Sequence, residues 1–337
     1  MKKSILVCGA GSIGKRHIRN VLQSGHDVIV WRQRSDLNQK LLEEFDKKIT
    51  IADLDIHKAI ESVDAVIVAN NTIDHRGVIE KSIELAKHLY IEKPVDIDHK
   101  GLRNLMAQAN KKNLVVEVGC QLRKHPSLIE LKKIIDKENM KVLTFRMHVG
   151  QRLEYWRPGT DYRKSYSAQR KKGGGVLLDL IHEIDLCLWL LGEISEVYGT
   201  LSKVSDQEID VHDLSNIIVN LESGSSGSIQ LDLFSPSLRR GLEIISSDKI
   251  LMWDYNQGGL EMIKKDVKET IFNPPMSFSR NDMFLEMMNH FLNRLDDEKI
   301  TPACSFESGI RSLEIVNAIE ESSLKKASII TSSFSGK

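Results

Sequence analysis

The sequence predicts an α/β fold: an N-terminal doubly wound parallel sheet followed by an α+β domain built on a mainly antiparallel sheet. Three observations carry that expectation. Between residues 4 and 120, short β-branched runs alternate with longer helical segments, the pattern of a parallel sheet covered by helices. A turn rich in glycine, Gly9-Ala10-Gly11-Ser12-Ile13-Gly14, begins one residue after the first strand. Beyond residue 120 the rhythm shifts to segments of alternating polarity separated by turn residues.

In order, strands are expected at 4–8, 27–31, 50–52, 65–69, 88–91 and 115–120, with helices near 13–24, 37–46, 56–61, 76–86 and 99–112. Val66-Ile67-Val68 is apolar on both faces, as in a strand buried between helix layers. A helix near 126–137 and a strand near 141–149 follow, then a polar and aromatic stretch with Tyr155, Trp156, Pro158, Tyr162 and Tyr166. Gly173-Gly174-Gly175 leads into one helix over 176–191. Segments at 197–204, 214–222, 227–234, 241–246 and 249–253 read as an antiparallel sheet, with Ser223-Gly224-Ser225-Ser226-Gly227 as a hairpin loop. Helices near 280–295 and 306–323 close the fold, and the tail from Ser332 is expected to be poorly ordered. Residues 1–122 form the expected nucleotide domain and 123–330 the substrate and oligomerisation domain, the final helix being able to pack back on the first.

Lys plus Arg and Asp plus Glu each number 47, so no excess of positive charge draws the chain to nucleic acid or anionic lipid. Its longest apolar stretch, near 186–191, is far short of the about 20 residues of a membrane helix. The apolar run after Met1-Lys2-Lys3 stops at Gly9, too short for an export signal. Cys8, Cys120, Cys187 and Cys304 lack Cys-x-x-Cys spacing and suit a reducing, cytoplasmic setting; no metal site is expected.

The glycine turn has the context that makes such a motif specific: a strand before it and a helix after it. Gly9 permits the tight turn, Gly11 lets backbone approach a pyrophosphate, and Gly14 lets helix and strand pack closely. Ser12 and Ile13 open the helix whose positive end faces the phosphates. A dinucleotide is therefore expected. Where an NAD enzyme carries an acidic residue for the ribose, this chain reads Trp31-Arg32-Gln33-Arg34-Ser35. Arg32 and Arg34 suit a 2′-phosphate, so NADP is favoured over NAD; the competing reading leaves both arginines solvated and turns Asp36 toward the ribose.

The glycine turn, Ala69-Asn70-Asn71-Thr72 with His75, Glu92-Lys93-Pro94, Gly119-Cys120-Gln121-Leu122-Arg123, and Gly173-Gly174-Gly175 with Asp179, His182, Glu183 and Asp185 together resemble the glucose–fructose oxidoreductase and inositol dehydrogenase (Gfo/Idh/MocA) family. The likeness runs through Ser308-Gly309 and spans nearly the whole chain. It implies that Lys93 and His182 handle the proton of a reacting alcohol, that Pro94 is cis, and that Asn71, Thr72, His75, Glu92, Lys93 and Gln121 lie near the cofactor. Many members place an Asp four residues before the His. Here position 178 is Leu and Asp179 lies three before, on one side of the expected helix with His182 and Asp185. Asp179 is a candidate catalytic carboxylate, with a helix-stabilising or inter-domain hydrogen bond as the alternative; Asp185 is a candidate substrate contact, with the favoured alternative that it orients His182 or a backbone group without touching substrate.

Arg123, Trp156, Tyr162, Arg163 and Tyr166 are further substrate candidates, balanced by the alternative that they pack their own loop. The resemblance implies an NAD(P)-dependent dehydrogenase or reductase acting on a sugar, cyclitol or nucleotide-activated sugar, as a homodimer or homotetramer. Arginines at 152, 157, 163 and 170 would suit an anionic substrate. A cofactor-retaining glycosidase or epimerase and a non-enzymatic dinucleotide sensor are the alternatives, the sensor having no need of Lys93 and His182 together.

Overall fold

A computed structural model describes residues 1–52 and 55–331. The chain folds as two compact units, the first made of residues 1–121 with 279–310, the second of 122–278 with the residues from Arg311 on.

In the first unit β1 (Ser4–Cys8), α1 (Ser12–Gln23), β2 (Asp27–Trp31), α2 (Asn38–Glu44), β3 (Thr50–Ile51), α3 (Ile56–Glu61), β4 (Ala65–Val68), α4 (His75–Glu84), β5 (His88–Ile91), α5 (Leu102–Lys111) and β6 (Val116–Val118) alternate as expected. Among the described residues the sheet has the order β3-β2-β1-β4-β5-β6, and every pair is parallel. The order reverses between β1 and β4, the place where ligands gather in open sheets of this kind. Because all strands run one way, the turns after β1, β2, β4, β5 and β6 emerge at one carboxyl edge. The central strands are apolar and buried throughout, Val66, Ile67 and Val68 being completely inaccessible.

In the second unit α6 (Pro126–Lys137), β7 (Thr144–Gly150), α7 (Val176–Asp179) and α8 (His182–Leu191) precede a run of strands: β8 (Ile194–Ser202), β9 (Leu214–Leu221), β10 (Ser226–Asp232), β11 (Arg239–Ile245), β12 (Ile250–Asp254), β13 (Leu260–Lys264) and β14 (Val267–Phe272). The chain then passes through α9 (Arg280–Arg294), in the first unit, to α10 (Phe306–Lys325) and β15 (Ile329–Ile330). The first unit takes in α9 and residues 306–310 of the final helix, whose remaining residues belong to the second unit. The described strands form one sheet, β14-β13-β12-β11-β7-β10-β9-β8-β15, antiparallel except for β7 with β10. Phe145, Met147, Val149, Ile217, Val219, Ile229, Leu231, Leu242 and Ile244 make its buried face, against which α6, α7 and α8 pack. The expected hairpin joins β9 to β10, with the Gly224 N–H on the Leu221 carbonyl at 3.0 Å.

Two expectations are corrected. β13 and β14 were not anticipated: their turn places Lys265 at φ +49° and Asp266 at φ +65°, the left-handed geometry of a two-residue hairpin, without the glycine that usually marks it. The single helix over 176–191 is two, because the backbone leaves helical geometry at Leu180 (φ −104°, ψ 25°). The tail from Ser332 lies outside the described residues. Among the described residues no helix is long and apolar enough to cross a membrane.

A buried ion pair closes the first unit. Glu117 on β6 is completely inaccessible and accepts the Arg294 guanidinium at 2.7 Å, the Ala303 N–H at 2.7 Å and the Cys304 N–H at 3.1 Å. Arg294→Met strands that carboxylate, and chemical denaturation is expected to show a loss of about 3 kcal/mol. An unchanged midpoint would mean that the two backbone donors suffice.

Candidate active site

The turn after β1 is shaped by what glycine lacks. Gly9 has φ +103°, its N–H donates to the Trp31 carbonyl at 2.9 Å, and a Cβ there would stand 2.6 Å from the Ala69 oxygen. At Gly14 a Cβ would meet the Gly9 oxygen at 2.1 Å. Gly11 differs, because a Cβ on it would meet nothing within 4 Å. Gly11 precedes α1, no side chain caps that helix, and its first turn carries no acidic residue. Gly11 and Ser12 are exposed and Ile13 is half-buried. Open space beside uncapped N–H groups at the positive end of a helix is the chemistry a pyrophosphate requires, so these residues fit a dinucleotide.

Next along the same edge, Arg32 is half-buried and its Nε has no hydrogen-bond partner among the described residues. Arg34 is exposed and donates to Asp36 at 3.2 Å, which holds the Asp36 carboxyl below its usual range. After β4, Asn71 is exposed and Thr72 is buried in a short turn, Thr72–Asp74. His75 is buried, with Nδ1 3.0 Å from the Pro94 carbonyl and Nε2 3.3 Å from the Asn70 carbonyl. Burial pushes its imidazole pKa down, against the opposing pull of the carbonyls it faces. His75 thereby ties the β4 turn to the β5 turn.

Lys93, half-buried, follows β5 and precedes a cis peptide to Pro94, as the resemblance implied. Glu92 is buried: one carboxylate oxygen lies 2.7 Å from His17 Nε2 and the other accepts the Lys93 N–H at 3.3 Å. His17 thus gives Glu92 an inward partner. Gln121 opens a short helical turn, Gln121–Lys124, and is buried. His17 was missed in the sequence, although its place three residues after Gly14 puts it on the helix that the glycine turn begins.

In the second unit, His182 is buried at the start of α8. Asp179 closes α7, and its carboxylate accepts the Ser167 hydroxyl at 2.9 Å and the Gly175 N–H at 3.1 Å, bridging back over the turn before its own helix. Asp179 first, and burial second, push the Tyr166 phenol pKa up. The break at Leu180 corrects the expectation that Asp179, His182 and Asp185 share one side of one helix. Arg123 and Asp185, both candidate substrate contacts, form a two-pronged buried pair at 3.0 Å and 2.7 Å.

The aromatic loop is engaged with itself and with residues 206–210, between β8 and β9. Trp156 Nε1 donates to the Gln151 carbonyl at 3.0 Å and the Tyr162 hydroxyl accepts the Glu208 N–H at 3.3 Å. Of its arginines, Arg152 pairs with Asp206 and Glu154, Arg163 with Asp161 and Glu208, while Arg157 lies over the Tyr166 ring at 5.4 Å. The Arg170 N–H donates to Asp210 at 2.6 Å.

The space at Gly11 yields a direct test. Gly11→Asp places a favoured capping residue before α1, so thermal stability is expected to hold or rise slightly. The same carboxylate opposes a phosphate, and NADH binding followed by fluorescence is expected to weaken by roughly a hundred-fold or more. Unchanged binding would remove the dinucleotide from this turn.

Comparison with known proteins bears on both units. A family described as "Oxidoreductase family, NAD-binding Rossmann fold" matches residues 3–120, and the "GFO/IDH/MocA C-terminal domain" matches residues 129–251. The myo-inositol 2-dehydrogenase of Thermotoga maritima is 27% identical over 238 residues, 66% of each chain, so the match spans just under two thirds of that relative. An inositol 2-dehydrogenase of Rhizobium meliloti is 26% identical over 227 residues, 64% of each chain. Among solved structures, a levoglucosan dehydrogenase in complex with NADH has a TM-score of 0.85 at 19% identity, covering 98% of this chain and 99% of that one. The UDP-N-acetylglucosamine 3-dehydrogenase of Acidithiobacillus ferrooxidans has a TM-score of 0.79 at 18% identity, covering 96% and 98%. With family models matching residues 3–120 and 129–251, the chain belongs to the Gfo/Idh/MocA family of oxidoreductases.

Proposed function

We propose that this protein is an NAD(P)-dependent dehydrogenase or reductase acting on a CH–OH group of a sugar, cyclitol or nucleotide-activated sugar, with NADP favoured. The observation that carries the reading is the shared carboxyl edge of the parallel sheet. The open glycine turn, Arg32, Asn71 with Thr72, Lys93 and Gln121 all follow strands that run the same way.

When bound, the nicotinamide supplies hydride chemistry at its C4. The protein's share is position and proton control. Gly9, Gly11, Ser12, Ile13 and Gly14 seat the pyrophosphate, Asn71, Thr72 and Gln121 border the nicotinamide end, and His75 ties the turn of Asn71 and Thr72 to that of Lys93. Lys93 and His182 are assigned to the substrate hydroxyl: oxidation removes its proton as the carbinol hydrogen leaves with both electrons, and reduction returns it. An ammonium polarises the oxygen, while an imidazole exchanges protons near neutral pH. Asp179 acts by holding Ser167, Gly175 and Tyr166, and the Arg123–Asp185 pair fixes the base of α8. Trp156, Tyr162 and Tyr166 offer flat faces to a sugar ring, and Arg163 borders the same loop.

NADP is favoured because positions 32–34 carry two arginines and no carboxylate, and the nearby Asp36 is already paired with Arg34. Assembly as a homodimer or homotetramer fits the outer face of the nine-stranded sheet, where Leu143, Tyr198 and Ile218 are exposed. Four buried cysteines, none of them in a disulfide, suit a cytoplasmic setting.

A panel of polyols, inositols and UDP-sugars, followed by nicotinamide absorbance with NAD and with NADP, tests the reading. Turnover is expected on at least one member, and Lys93→Met and His182→Asn are each expected to lower kcat by roughly 10²–10⁴-fold. Full activity in both variants, with cofactor still bound, would contradict the assignment.

A further inference from the structure

Three polar groups of the first unit lie deep beneath the β5 turn. His17, on α1, and Tyr90, on β5, are fully inaccessible and Glu92, just after β5, is nearly so. His17 Nε2 stands 2.7 Å from Glu92 Oε1. His17 Nδ1 has no hydrogen-bond partner among the described residues, so the proton of a neutral ring sits on Nε2 and is donated to the carboxylate. Tyr90 meets the imidazole edge to face at 5.1 Å and is itself held by Phe291 at 5.6 Å, which fixes the ring plane. A Cβ at Gly119 would stand 2.9 Å from Glu92 Oε1 and 3.1 Å from the Tyr90 hydroxyl, so glycine just past β6 leaves the carboxylate its room. The second oxygen of Glu92 accepts the Lys93 N–H at 3.3 Å.

We propose that His17 is a positioning residue which, through Glu92, fixes the backbone of Lys93 and joins it mechanically to the helix that carries the glycine turn. Stability alone does not account for the arrangement. A buried carboxylate beside a buried imidazole costs desolvation on both sides, and an apolar pair of similar volume would pack at least as well. What the pair adds is direction: one rigid donor on α1, one carboxylate, one backbone N–H at the residue assigned to proton transfer. The helix end that receives phosphate and the turn that presents Lys93 are thereby linked through two hydrogen bonds. The catalytic half of this inference rests on the reading given under Proposed function.

The test uses the full chain and three variants. His17→Leu removes the donor; His17→Gln keeps an N–H near the position of Nε2; Glu92→Gln keeps the shape and removes the charge. Hydrogen–deuterium exchange resolved at the Lys93 amide reads the link without turnover. His17→Leu and Glu92→Gln are expected to speed that exchange by about ten-fold or more, the scale of one hydrogen bond to a charged group, while His17→Gln stays near wild type. Exchange of the Val66–Val68 amides in β4, followed in the same samples, is expected to remain slow and reports that the unit is folded. Where a substrate is in hand, kcat should fall about 10- to 100-fold in His17→Leu with the NADH dissociation constant held within a few-fold, and should recover in His17→Gln.

Lys93 exchange that is unchanged in His17→Leu while β4 stays protected overturns the inference, whatever the activity. So does faster exchange that His17→Gln fails to restore. Altered Lys93 exchange in a protein without turnover on any substrate leaves the positioning link standing and rejects the dehydrogenase reading instead.

Discussion

Two missing β-carbons govern the first unit. At Gly14 the helix backbone approaches the Gly9 carbonyl more closely than any side chain allows, and at Gly9 the turn lies directly on the backbone of Ala69 and Asn70. Those approaches bring α1 down onto the sheet at the β1–β4 switch, where the strand order reverses. Because α1 sits low, its second turn carries His17 into the interior and within 2.7 Å of Glu92, and the N–H groups of its first turn stay open at the sheet's edge. A single steric constraint thus sets the anion site and the anchor beneath Lys93.

The second unit solves a different problem: holding an imidazole at the start of a helix that no side chain caps. Its neighbours are fixed by charge. Asp179 commits its carboxylate to the loop before α7, and Arg123 grips Asp185 one turn beyond His182 with both prongs of its guanidinium. A buried ion pair of this kind contributes little net stability, but its geometry is specific, since breaking it leaves a charge without water. The candidate site residues of this unit therefore divide into Arg123, Asp179 and Asp185, which are buried and paired, and Trp156, Tyr162, Arg163 and Tyr166, which are exposed or half-buried.

The range of each signal decides how much of this architecture is legible in the sequence. The parallel sheet is readable because apolar runs and the glycine turn are local patterns, and β1, β2 and β5 begin and end where those runs do. The β13–β14 hairpin is not, since its turn uses Lys265 and Asp266 in a geometry that normally announces itself with glycine or asparagine. The break at Leu180 has no marker either: Leu180 and Ile181 continue an apolar helix, and only the backward reach of Asp179 to Gly175 distinguishes the site. Pairings across distance are illegible altogether. His17 with Glu92 spans 75 residues and Arg123 with Asp185 spans 62, so each partner reads as a candidate ligand or goes unnoticed.

Under the proposed function, the turn at residues 9–14 holds a nicotinamide dinucleotide and the arginines after β2 select its 2′-phosphate. Titration of the protein with NADPH and with NADH, read by nicotinamide fluorescence, tests it most directly. Saturable binding of one equivalent per chain, tighter for NADPH, is predicted. Failure of both to bind would contradict the account, and tighter binding of NADH would overturn the role given to Arg32 and Arg34.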